Sequence, residues 1–251
     1  MKPLQLITIV FFVFVLSANA RTAAGDIARK DLHVYLLIGQ SNMAGRAPID
    51  DTAAKEIEGC LLLNAFNEWE RARNPLNRYS TIRKSLSMQK LNPGYSFARA
   101  MKKANPKTTF GLVVNARGGS KIEQWAPETP FYKAIVKRAQ IAQKTGTLKG
   151  VLWHQGESNS GDPGSYLPKL KALVEELRKD LKDPDLLFVA GQIKEGEKIN
   201  QEIAKLPGSV PRTGVAIAKG LKTMDRWHFD AESMIKLGER YAEEMLNLQK
   251  K

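Results

Sequence analysis

Six short apolar runs alternate with amphipathic stretches along this chain, and that alternation limits the fold more than any other feature. The runs are HVYLLIG (33–39), GCLLLN (59–64), FGLVVNA (110–116), GVLWHQ (150–155), LLFVAGQ (186–192) and GVAIAK (214–219). Most are apolar throughout, the pattern of strands covered on both faces. Between them lie the helical patterns GYSFARAMKKA (94–104), FYKAIVKRAQIAQK (131–144) and YLPKLKALVEELRKDL (166–181). A last one, AESMIKLGERYAEEMLNLQ (231–249), closes the chain. Such alternation places helices on both faces of a mainly parallel sheet, so the expected fold is an α/β three-layer sandwich.

The first twenty residues stand apart. Lys2 precedes the apolar run LITIVFFVFVL, and SANA then places Ala18 and Ala20 at the −3 and −1 positions of a cleavage site. Residues 1–20 read as a secretory signal peptide, and residues 21–251 as a single domain that is secreted or periplasmic. The apolar run is short for a spanning helix and no later stretch replaces it, so no membrane association is expected after cleavage. Cys60 is the only cysteine, so no internal disulfide forms, and its place in GCLLLN reads as core.

The net charge is +13, of which the leader contributes only Lys2. A basic surface attracts polyanions. For an exported chain without a nucleic-acid motif, an acidic polysaccharide or cell surface is a more natural partner than nucleic acid, the alternative being a basic surface that serves solubility with no specific partner. Residues 65–92 show no clean period and carry six basic residues, and a connection that long is usually functional. Two readings stand for it: the lining of a substrate groove, or an ordered surface excursion.

In an open parallel sheet, ligands bind beyond the carboxyl ends of the strands. Four strand ends here turn polar: GQSN after the first run, NARGGS after the third, HQGESN after the fourth, and DRWHF shortly after the last. A serine nucleophile needs a base, and the chain has three histidines. His33 lies at the wrong end of the sheet. His154 ends the fourth strand and could face the site. His228 lies in a loop with Asp225 three residues upstream, a spacing that lets a carboxylate reach the imidazole Nδ1 while Nε2 faces Ser41. The α/β-hydrolase elbow G-x-S-x-G is absent, because GQSNM has Met43 in place of its second glycine. No H-E-x-x-H or Cys/His cluster occurs, so neither a metal nor another cofactor is expected.

GQSNMAG, NARGGSKIEQW, WHQGESN and DRWHF resemble the four blocks of the SGNH (GDSL-like) hydrolase superfamily, over about residues 33–232. The likeness is to its carbohydrate-esterase branch, which includes sialate O-acetylesterases and acetylxylan esterases of carbohydrate esterase family 6. It implies a mainly parallel, flavodoxin-like central sheet and a serine esterase acting on acetylated carbohydrate. It also implies that Ser41 is the nucleophile, His228 the general base and then acid, and Asp225 the orienting carboxylate. The oxyanion hole it implies combines the N–H groups of Ser41 and Gly118 with the Gln155 amide, Asn159 being the alternative, while Gly119 eases the turn. Asn42 is expected to tie the nucleophile loop in place. Arg117, Glu123, Trp125 and Glu157 fall in the same blocks without a definite role. The rival reading is a carbohydrate-binding protein that keeps the fold without turnover.

Overall fold

The computed structural model describes residues 29–250, so the leader reading of residues 1–20 lies outside the described residues. Among the described residues, seven strands form one sheet: β1 (Leu32–Gly39), β2 (Cys60–Leu63), β3 (Trp69–Arg71), β4 (Thr109–Ala116), β5 (Thr147–His154), β6 (Phe188–Gly191) and β7 (Thr213–Ala216). Their order is β3-β2-β4-β1-β5-β6-β7. Every pairing is parallel except β2 with the edge strand β3. From β1 the chain therefore goes to β2 and β3 at one edge, returns through β4 beside β1, then crosses it to build β5, β6 and β7 on the other side. That makes the carboxyl end of β1 the switch point of the sheet, where such folds open a crevice.

The expected helices are present as α2 (Gly94–Ala104), α3 (Pro130–Ala142), α4 (Tyr166–Asp180) and α7 (Ala231–Gln249). Local chemistry starts two of them. Asp230 accepts the Ser233 N–H at 2.8 Å to cap α7, and Thr129 caps α3 ahead of Pro130. Three short helices escape a periodicity reading: α1 (Ser41–Ala44), α5 (Ile199–Ala204) and α6 (Leu206–Ser209).

The period of two in β1 divides the core. Tyr35 and Leu37 face a cluster with Phe97 and Met101 of α2 and with Leu237, Tyr241 and Met245 of α7. Val34, Leu36 and Ile38 face the opposite cluster, with Ile135 of α3 and Leu170 and Leu177 of α4. Burying each such side chain contributes about 1.5–3 kcal/mol, so the strand leading into Ser41 is held firmly from both faces. Cys60 is buried in the first cluster and burial pushes its thiol pKa up, consistent with an inert core position.

Residues 65–92 are not structureless. They hold β3 and a single 3-10 turn, Leu76–Tyr79. The fully buried Asn77 then fastens them to the end of β4, its Oδ1 accepting the Ala116 N–H at 2.9 Å and its Nδ2 donating to the Ala116 carbonyl at 3.1 Å. Thr81 N–H adds a bond to Asn115 Oδ1 at 2.8 Å. The segment is thereby laid against the strand that leads to Gly118.

Candidate active site

Gly39 ends β1 with φ +134, and a Cβ there would overlap the His154 carbonyl oxygen. Only glycine lets β1 and β5 approach this closely while the chain turns into α1. Ser41, the first residue of α1, is thus set at the switch point, 6% exposed. Its Oγ lies 3.0 Å from His228 Nε2, and His228 Nδ1 lies 2.7 Å from Asp225 Oδ2. The other carboxylate oxygen of Asp225 accepts the N–H groups of Trp227 and His228, each at 2.8 Å. Burial pushes the Asp225 carboxyl up. The Trp227 N–H, the imidazole and the His228 N–H outweigh that and hold it at about 2. The carboxylate is therefore ionised at neutral pH and fixes Nδ1 as the protonated nitrogen, leaving Nε2 to accept from Ser41.

The structure also brings Gly118 to the serine. A Cβ on Gly118 would lie 3.8 Å from Ser41 Cβ and would overlap Arg46 Nη2. The N–H groups of Ser41 and Gly118 make no hydrogen bond within the described residues. Gly119 follows with φ +73, and a Cβ there would lie 3.4 Å from Lys84 Nζ.

Gln155 is placed differently. It is completely buried, and its Nε2 faces three protein acceptors: Gln40 Oε1 at 3.0 Å, the Ser120 carbonyl at 3.1 Å and Asn159 Oδ1 at 2.7 Å. Two hydrogens already divide among three acceptors, so none is left for a ligand. Asn159 is no freer, because its Nδ2 donates to Glu123 Oε2 at 3.0 Å and its Oδ1 accepts the Ile122 N–H at 2.9 Å. Both amides brace the turn behind Ser41 rather than open onto it.

Two of the remaining block residues are structural partners. Trp125 is fully buried, packs edge-on against Trp153 and donates to Ser120 Oγ at 3.0 Å. For Glu123, burial raises the carboxyl pKa, but the Lys169 ammonium at 2.6 Å and Asn159 bring it to about 2. Arg117 donates to the Ile82 carbonyl at 3.0 Å and sits over the Phe131 ring. His33 lies on the opposite edge of the sheet, against Phe110. His154 does not face Ser41. It is buried beneath the site, and burial lowers its pKa to about 3, so the ring is neutral.

Asn42 does more than the sequence indicates. Its Oδ1 accepts the Phe229 N–H at 3.2 Å and its Nδ2 donates to the Trp227 carbonyl at 3.1 Å. One amide therefore grips the main chain on both sides of His228. Arg46, Gln40 and Trp227 also belong to the site, although the sequence signalled none of them beyond their neighbourhood to Ser41 or His228. Arg46 Nη1 donates to the carbonyls of Gly45 at 2.6 Å and Met88 at 2.7 Å, joining α1 to the 65–92 segment.

A hydroxyl, an imidazole and a carboxylate in relay at the carboxyl edge of a mainly parallel sheet are the arrangement of SGNH-type esterases. The chain belongs to the carbohydrate esterase, sialic acid-specific acetylesterase family, whose model matches residues 31–247. It is thus a carboxylic ester hydrolase of the carbohydrate-esterase kind. A probable carbohydrate esterase of Arabidopsis thaliana is 31% identical over 239 residues, covering 85% of this chain and 90% of the relative. The X-ray structure of an Arabidopsis thaliana protein superposes with a TM-score of 0.77 at 29% identity, covering 86% of this chain and 98% of that one. A carbohydrate acetylesterase of Xanthomonas citri shares the fold, with a TM-score of 0.63 at 20% identity over 83% of this chain and 55% of that one.

Proposed function

We propose that this esterase removes O-acetyl groups from a carbohydrate through an acetyl-enzyme intermediate on Ser41. The observation that carries the reading is the unbroken relay Ser41–His228–Asp225 at 3.0 and 2.7 Å. In this reading His228 takes the Ser41 proton as Oγ attacks the acetyl carbonyl. The proton then passes to the departing sugar oxygen, and water, activated by the same imidazole, releases acetate. The Asp225 carboxylate stabilises the imidazolium that forms at each step. The free N–H groups of Ser41 and Gly118 supply the oxyanion donors. Gln155 joins them only by releasing one of its internal acceptors. No step calls for a metal or other cofactor.

The substrate we favour is an acidic acetylated glycan, met outside the cytoplasm after removal of the leader. Arg46, Lys84 and Arg117 gather around Gly118 and Gly119, and Arg226 lies over the neighbouring Trp227 ring. Among the described residues, none of these four cations is within salt-bridge distance of a carboxylate. Their charge is therefore available to a ligand. Release of acetate from a panel of acetylated glycans, neutral and acidic, tests both parts. No release from any of them, by folded protein, would overturn the esterase reading in favour of a binding protein.

A further inference from the structure

Beneath the relay lies a pair of buried titratable groups that the acyl-transfer steps do not use. Glu157 Oε1 accepts from Asn42 Nδ2 at 2.6 Å, the same nitrogen that holds the Trp227 carbonyl. The other oxygen of Glu157, Oε2, has no hydrogen-bond partner although it is buried. On the far side, His154 Nε2 lies 3.7 Å from Glu157 Oε1 and likewise has none.

The hydrogens around this pair can be assigned. Tyr241 gives its only hydroxyl proton to the Trp153 carbonyl at 2.6 Å. The Tyr241 oxygen can then only accept from His154 Nδ1, 3.1 Å away, so Nδ1 carries the imidazole hydrogen and Nε2 is bare. A bare ring nitrogen beside a bare carboxylate would be two buried acceptors facing each other, which native interiors avoid. One proton between them removes the conflict.

We infer that Glu157 is a neutral carboxylic acid beside neutral His154, and that this uncharged pair fixes the Asn42 amide and, through it, the loop carrying Asp225 and His228. The rest of the surroundings agree. Glu157 is faced by Asn42 of α1, His154 of β5, Tyr241 of α7 and Tyr166 of α4; the Phe229 ring packs edge-on against His154. The titratable groups among these are His154, Tyr166 and Tyr241. Tyr166 gives its proton to the Gln155 carbonyl at 2.7 Å, so neither tyrosine donates to Glu157. Among the described residues, no lysine or arginine lies within salt-bridge distance of the carboxyl. Glu157 is therefore a positioning residue. Its acceptor oxygen orients Asn42, and the proton on its carboxyl spares the site a buried charge under the imidazole.

The inference rests on the esterase reading for its kinetic arm only. Infrared difference spectra of the wild-type protein at pH 6 are expected to show the C=O stretch of a buried carboxylic acid that is missing in Glu157→Gln. With a small neutral chromogenic acetate, Glu157→Gln, which keeps the acceptor and lacks the charge, is expected to hold kcat within about threefold of wild type. Glu157→Ala is expected to lower kcat by about tenfold or more, with KM changed by less than about twofold. Absence of the carboxylic-acid band, or equal loss in folded Gln and Ala variants, would overturn the inference. Should Glu157→Ala not fold, Asn42→Ala probes the same link from its other end, and an unchanged kcat there would count against it. Wild-type protein without esterase activity would instead overturn the proposed function and leave the infrared test intact.

Discussion

The buried carboxyl of Glu157 should leave a mark on stability that can be read without any substrate. Burial is the dominant influence and pushes its pKa up, with its own main-chain N–H and Asn42 opposing, to about 7 from an ordinary 4.5. A group whose folded-state pKa is raised adds stability that is fully present below the unfolded pKa and is lost as pH rises through the folded one. Between pH 4.5 and 7 the unfolded chain has released this proton while the folded chain still holds it. The contribution of this group therefore falls with rising pH, by about 1.4 kcal/mol per pH unit over that window. The whole span is worth about 3 kcal/mol, complete near pH 8, or roughly 6–12 °C in Tm for a chain of this size. His154 stays neutral in the folded state, and the proton it gains on unfolding toward acid is common to both proteins and cancels in the difference. The perturbation is Glu157→Gln, which cannot ionise. Urea unfolding of both proteins in half-unit steps from pH 4.5 to 8.5 isolates the effect, because other titrating groups cancel in the difference. Glu157→Gln should gain on wild type by about 3 kcal/mol across the series. Two parallel stability curves would refute the reasoning, and a gain toward acid would reverse its sign.

Other outcomes follow from the geometry. His228→Ala should lower kcat by on the order of 10²-fold or more, whereas His33→Ala, on the opposite edge, should be near wild type; equal losses in folded variants would remove His228 as base. With both Gln155 N–H groups committed internally, Gln155→Ala should lower kcat and stability together. A fall of roughly 10²–10³ in kcat with unchanged stability would restore Gln155 as an oxyanion donor. If Arg46, Lys84, Arg117 and Arg226 draw in an acidic glycan, kcat/KM on that polymer should fall as salt rises, since exposed charges act over only about 10 Å at 0.1 M. A small neutral acetate serves as the flat control, and parallel responses would mean the charges play no part.

The sequence made the strands legible because continuous apolar runs such as VYLLIG and FGLVVNA can only be covered on both faces. Helices α2 and α7 were equally plain, each long enough to show its period. Strand β3 was not, because three residues of the mixed sequence WER give no pattern to read; it is a strand by virtue of pairing with β2. Helices α5 and α6 stayed hidden for a similar reason, since Pro207 and Gly208 interrupt a stretch already too short for a period. The relay residues could be named because few histidines were available and Asp225 stood three residues from one of them. Gln155 and Asn159 mark the limit. Motif position put an amide behind Ser41, but whether that amide faces a ligand depends on Gln40, Ser120 and Glu123, which come together only in three dimensions. Glu157 and His154 were both read within one block, yet their shared burial under Asn42 has no one-dimensional signal at all.

The proposed reaction requires that the acetyl group pass through Ser41. The most direct measurement is rapid acid quench of the enzyme during turnover of a chromogenic acetate, followed by mass spectrometry of the peptide that spans residues 34–48. An acetyl group on Ser41 is expected, rising with the first turnover, in wild type and more fully in His228→Ala supplied with a highly activated ester. Ser41→Ala should fold, carry no acetyl group and release no acetate above the uncatalysed rate. Steady acetate release by Ser41→Ala, or full wild-type turnover with Ser41 never modified, would contradict the account.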